Sequence, residues 1–86
     1  MARKRTKSLR VATCQFSVEP KIAHNRKWIL AQLAQAAEAG ADVAHFSECA
    51  LSGYAGVDIP DIAALDFDEL RAASQDILAA AKRLKI

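Results

Sequence analysis

The apolar positions along the chain change period from segment to segment. Between Leu9 and Phe16 they fall on both faces with no helical period, which predicts a short strand covered on both sides. Glu19-Pro20 breaks this run. From Lys21 to Ala39 the period becomes helical. Ile22, Trp28, Ile29, Leu33, Ala36 and Ala37 share one broad face, while Arg26, Lys27, Gln32, Gln35 and Glu38 lie mostly outside it. Alanine and glutamine add favourable propensity. Gly40 follows as a natural residue just past the helix end, because glycine takes the left-handed conformation there without a Cβ penalty. Asp42 to Ser47 predicts a second strand, built on Val43, Ala44 and Phe46. Strand, helix and strand in this order make a βαβ unit with parallel strands and a right-handed crossover, whether or not the two strands are neighbours.

Leu51 to Leu65 predicts a loop, carrying Gly53, Gly56, Pro60, Asp58 and Asp61. Asp66-Phe67-Asp68-Glu69 fits a capping box with Asp66 as N-cap and Glu69 three residues on. The helix that follows runs to about Leu84, with Phe67, Leu70, Ile77, Ala81 and Leu84 as its apolar stripe. Lys82, Arg83 and Lys85 complement its dipole at the C-terminal end. Two parallel strands make a poor sheet, because parallel sheets need covered faces and further neighbours. The expectation is therefore an incomplete α/β unit, or one that needs a partner. Neither an internal repeat nor a low-complexity tract beyond alanine enrichment is visible.

With 86 residues the chain holds one small domain near the lower size limit for folding without staples. Alanine supplies much of the apolar content. Only Phe16, Trp28, Phe46, Tyr54 and Phe67 are aromatic, so the core is thin. The net charge of +2 is uneven: Arg3, Lys4, Arg5, Lys7 and Arg10 crowd the first ten residues without an acid. Residues 1–8 are read as a basic arm and 9–86 as the folded part. Such an arm could touch nucleic acid or an anionic surface, but no aromatic residue interleaves with it. A solvated terminus is the simpler reading, with no nucleic-acid or membrane partner. The basic start is not followed by the apolar stretch of a signal peptide, and no run of 18 apolar residues occurs. Cys14 and Cys49 make neither a CxxC pair nor a disulfide framework. A reducing, cytoplasmic location is the corresponding expectation.

Glu48 is the candidate for chemistry. It lies where the second strand gives way to a glycine-containing turn, and open α/β sheets place their reactive groups at the C-terminal ends of their strands. By position alone the same glutamate could be a solvated or ion-paired residue. The run Val43-Ala44-His45-Phe46-Ser47-Glu48-Cys49-Ala50-Leu51-Ser52-Gly53-Tyr54 resembles the first catalytic motif of the carbon–nitrogen hydrolases, the nitrilase superfamily. Ala39-Gly40-Ala41-Asp42, Asn25 and Gln15 are also similar to that family, and the resemblance spans residues 9–86. Ser47 stands where proline is usual, and His45 where an aliphatic residue is common.

The resemblance implies the β-α-β-α front segment of a four-layer αββα sandwich, with Glu48 as general base. The glutamate would take the proton of a cysteine thiol, and the thiolate would attack an amide or nitrile carbon. A lysine would stabilise the tetrahedral charge, and water activated by the same glutamate would release the acid. It implies no cofactor, a small amide or nitrile substrate, and a homo-oligomer for the complete protein. The family's lysine and nucleophilic cysteine follow later strands, beyond Ile86. Lys82 and Lys85 belong to the second helix and do not match that lysine. Cys14 reads as a small buried hydrophobe within its strand. Cys49 adjoins Glu48, but neighbours in an extended segment point to opposite faces. His45 lies on a strand, where spacing of four to Cys49 does not converge on a metal, so no metal site is expected. Tyr54, by its family position, could line the substrate pocket, or it could pack over the sheet edge. No phosphate-binding glycine motif is present.

Two expectations follow. The first is hydrolysis of a non-peptide carbon–nitrogen bond by the complete protein, with the 86-residue chain inactive alone. The second is a catalytically inactive truncated product or a small self-associating module that uses the same βαβ surface.

Overall fold

The computed structural model describes residues 8–86, and the basic arm therefore lies outside the described residues except for Ser8. The chain forms a small mixed α/β unit: β1 (Val11–Thr13), α1 (Ile22–Glu38), β2 (Val43–His45), a short 3₁₀ turn (Ile62–Ala64) and α2 (Phe67–Leu84). The two strands are parallel and directly paired, with Val11 opposite Val43, Ala12 opposite Ala44 and Thr13 opposite His45. The Cys14 N–H extends the ladder by donating to the His45 carbonyl at 2.7 Å. Both strands are shorter than their apolar runs because a strand persists only where a partner ladder meets it, and each has one partner here.

Only one face of the pair is covered. Ala12 and Ala44 are half-buried, whereas Val11, Thr13, Val43 and His45 are exposed. This corrects the expectation of strands covered on both sides. Leu9, Val11 and Val43 leave an apolar strip in water.

α1 begins and ends within one residue of its sequence-predicted bounds. Its N-cap Lys21 makes no side-chain capping bond. Its C-terminus closes as a Schellman motif: the Ala41 N–H donates to the Ala36 carbonyl and the Gly40 N–H to the Ala37 carbonyl, each at 3.0 Å. The chain then turns straight into β2. The Arg10 N–H donates to the Asp42 carboxylate at 2.8 Å, and the Asp42 N–H returns a bond to the Arg10 carbonyl at 2.8 Å.

The buried stripe of α1 is Ile22, Asn25, Ile29, Leu33 and Ala36. Trp28 stays 42% exposed, so it borders the stripe and does not fill it. α2 packs mainly on α1. Its first turn is held by the Asp66 carboxylate, which accepts from the Glu69 N–H at 3.0 Å, half of the anticipated capping box. Its best-buried residues are Ala73 and Ala80, while Phe67 at the helix start is half exposed. The buried positions of α2 are thus alanines and not its aromatic residue. Arg26 and Asp76 join the two helices at 2.9 Å, but both are well exposed, so the pair adds little.

Candidate functional site

β2 ends at His45, and the chain passes through Phe46 and Ser47 into a turn over residues 48–52. The Ala50 N–H donates to the Ser47 carbonyl at 3.2 Å, and the Gly53 N–H to the Cys49 carbonyl at 2.9 Å. Ala50 is buried and seats the turn, while Glu48 and Cys49 are exposed on it. Glu48 makes no hydrogen bond or ion pair among the described residues. Its carboxylate therefore stands in water just past the C-terminal end of a parallel strand, open to a reactant or a partner.

Cys49 adopts φ 58°, in the left-handed region. That conformation costs a non-glycine residue about 1–2 kcal/mol. It corrects the expectation of an extended backbone here, since the chain is already turning at Cys49. Cys14 is buried as expected, with its Sγ 3.7 Å from the Ala12 carbonyl, and both cysteines are free. His45 is an exposed strand residue. Among the described residues no group of three or more His, Cys, Asp or Glu could hold a metal ion, and no helix is long and apolar enough to cross a membrane.

Tyr54 follows Gly53 and is 45% exposed. Its backbone is fixed by Asp58: the Tyr54 N–H donates to the Asp58 carboxylate at 2.8 Å, and the Asp58 N–H donates to the Tyr54 carbonyl at 2.8 Å. A bridge between Ala55 and Ile59 closes this small loop, and Ile59 is buried beneath it. Asp61 caps the 3₁₀ turn, its carboxylate accepting from the Ala63 N–H at 2.7 Å. Asp58 and Asp61 are thus loop-forming residues.

The loop after β1 reaches the same end of the strand pair, and α1 holds it by three side chains. Gln32 Nε2 donates to the Gln15 carbonyl at 2.7 Å, and His24 Nε2 to the Ser17 carbonyl at 3.0 Å. Asn25 brackets Glu19, accepting from its N–H at 2.9 Å and donating to its carbonyl at 2.7 Å. His24 also lies 3.5 Å from the Glu19 carboxylate. Asn25 Nδ2 donates further to the Leu51 carbonyl at 2.9 Å, within the turn that bears Glu48.

The hydrophobic pattern missed Asn25 as a core residue. The available signal was its spacing, three residues after Ile22 and four before Ile29, which places it in the apolar stripe. A cavity of about 380 Å³ lies elsewhere, between β1 and α1, with Thr13, Cys14, Gln15, Gln32 and Ala36 among its walls. Glu48 and Tyr54 do not line it.

Comparison of the chain with family models, with curated proteins and with solved structures finds no match.

Proposed function

We propose that this chain is the front part of a carbon–nitrogen hydrolase, in which Glu48 serves as general base. One observation carries the reading. Glu48 is exposed, with no hydrogen-bond or ion-pair partner among the described residues, on the turn that follows β2 of a parallel βαβ unit, the place where α/β sheets present reactive groups. The motif resemblance around it supplies the reaction class. In this reading the lysine and the nucleophilic cysteine come from polypeptide outside these 86 residues. Glu48 takes the thiol proton, the thiolate attacks an amide carbon, and Glu48 returns the proton to the departing amine, leaving a thioester that one water hydrolyses to the acid. On a nitrile carbon the attack gives a thioimidate, which a first water converts to the thioester with loss of ammonia before a second water releases the acid. Tyr54, exposed just beyond Gly53, borders the substrate in this proposal.

The test begins with the coding sequence across and beyond the codon for Ile86. The expected result is a frame that continues through further strands to a lysine and then a cysteine. The protein so encoded is assayed for ammonia release from small amides and nitriles. Glu48→Gln should lower turnover by about 10²–10⁴-fold. Unchanged turnover in that variant, or a frame lacking either partner, would overturn the proposal. The 86-residue chain by itself should show no hydrolysis.

Self-association is the second reading, and the uncovered strip of Leu9, Val11 and Val43 favours it. It anticipates a mass in light scattering that rises with concentration and falls back on Val43→Lys. A monomer at all concentrations would remove it.

A further inference from the structure

Asn25 is the one polar side chain wholly withdrawn from water among the described residues. It occupies the apolar stripe of α1, where a hydrophobic residue would avoid the cost of desolvating an amide. Its bonds offset that cost, since Oδ1 accepts once and Nδ2 donates twice. Two of the three bonds hold Glu19 after β1, and the third crosses to Leu51 after β2. His24 and Gln32 reach the first loop through Ser17 and Gln15. Asn25 is the helix side chain whose hydrogen bonds join both loops.

A second contact converges on the same place. A Cβ built on Gly53 would lie 3.6 Å from the Glu19 carbonyl oxygen, so the far end of the Glu48 turn rests on the backbone that Asn25 clamps. The turn between them runs through Cys49 at φ 58°, a conformation its local sequence does not favour. Besides its own two backbone bonds, the turn is reached by the Asn25–Leu51 bond and by the Gly53 contact with Glu19.

We propose that Asn25 is a positioning residue for Glu48: it ties the turn after β2 to the loop after β1 and so fixes where the carboxylate stands. The meaning of that position as a catalytic one rests on the hydrolase reading. The tie itself does not.

Asn25→Asp tests the tie. It keeps size and acceptor but replaces the donor with an oxygen facing the Glu19 and Leu51 carbonyls. Amide hydrogen exchange followed by NMR gives the readout, because the Ala50 and Gly53 amides are bonded within the turn. Near neutral pH their protection should fall roughly ten- to a hundredfold relative to the amides of α1. The Glu19 amide, whose acceptor survives, should keep most of its protection.

The substituted carboxyl faces two acceptors, so its folded pKa is raised above the unfolded value of about 3.9. The defect is accordingly smallest below about pH 4, where a protonated carboxyl can donate to one carbonyl, and grows as pH rises through the folded pKa. A uniform loss of protection over turn and helices, or an unchanged turn, would overturn the proposal.

If the variant does not fold, the parent chain still decides. The Asn25 Nδ2 protons should exchange at the common rate of the Ala50 and Gly53 amides. Turn amides that exchange far faster than the Asn25 side chain would show that the tie is not what holds the turn. The tie is read from amide protection in the turn and the hydrolase reading from the turnover of Glu48→Gln, so a failed hydrolase reading and a failed tie give different results.

Discussion

Gly53→Ala places a methyl group where the loop has no room for it. Gly53 has φ 87°, and a Cβ there would lie 3.0 Å from the Asp58 Cβ and 3.4 Å from Ile59 Cγ2. Neither neighbour yields easily. Asp58 is bonded through both its carboxylate and its N–H to the Tyr54 backbone, and Ile59 is buried. The left-handed backbone costs alanine about 1–2 kcal/mol. Crowding against fixed atoms adds roughly 1–3 kcal/mol.

Gly56 supplies the control. It has φ 83°, but nothing lies within 4 Å of its Cβ position, so Gly56→Ala carries the backbone cost alone. Any gain from a stiffer unfolded chain is common to both variants and cancels in the comparison. Gly53→Ala should therefore be less stable than Gly56→Ala by about 1–3 kcal/mol. A domain of this size has a total stability of only several kcal/mol, on the order of 0.1 kcal/mol per residue. Urea unfolding followed by far-ultraviolet circular dichroism reads the difference in midpoint at constant slope. Equal losses in the two variants would refute the argument that Gly53 is a packing position in the Glu48 loop.

Three further outcomes follow from the same structure. Asp66→Ala should cost about 1 kcal/mol by leaving the Glu69 N–H without its cap, read by the same unfolding experiment, and no loss would mean that water replaces the bond fully. Cys49→Gly should stabilise the chain by up to about 1 kcal/mol, because glycine accepts the left-handed backbone, and a clear loss in thermal midpoint would contradict this. Glu48→Gln should alter stability by less than about 0.5 kcal/mol, since the exposed carboxylate has no partner among the described residues. A large loss in a denaturation curve would assign Glu48 a structural role.

The helices were legible because their signals are local. The spacing of Ile22, Ile29, Leu33 and Ala36 and the glycine at position 40 set α1, and Asp66 with Glu69 set the start of α2. Strand lengths were not legible. Leu9 and Phe16 satisfy the apolar pattern as well as Val11 does, but pairing stops where the neighbouring strand turns away. Trp28 and Phe67 illustrate a related limit. Both lie on the apolar side of their helices, yet exposure depends on which neighbour the face meets, and the positions buried are Ile22, Ile29, Leu33 and Ala36 on α1 and Ala73 and Ala80 on α2. At the candidate site, the position of Glu48 after the second strand was readable. The left-handed turn at Cys49 was not, because it departs from local preference.

The sequence by itself determined the order of elements, the helix limits, the parallel βαβ arrangement and the glutamate at its end. These follow from hydrophobic period, capping residues and connection length, which act over a few residues at a time. Only the tertiary structure decided that the strands are direct neighbours, that one sheet face stays open, and that a buried asparagine joins the two loops beside Glu48. Those features depend on atoms far apart in the chain. Asn25 and Leu51 are separated by 26 residues, and their hydrogen bond exists only once α1 lies against the strand pair.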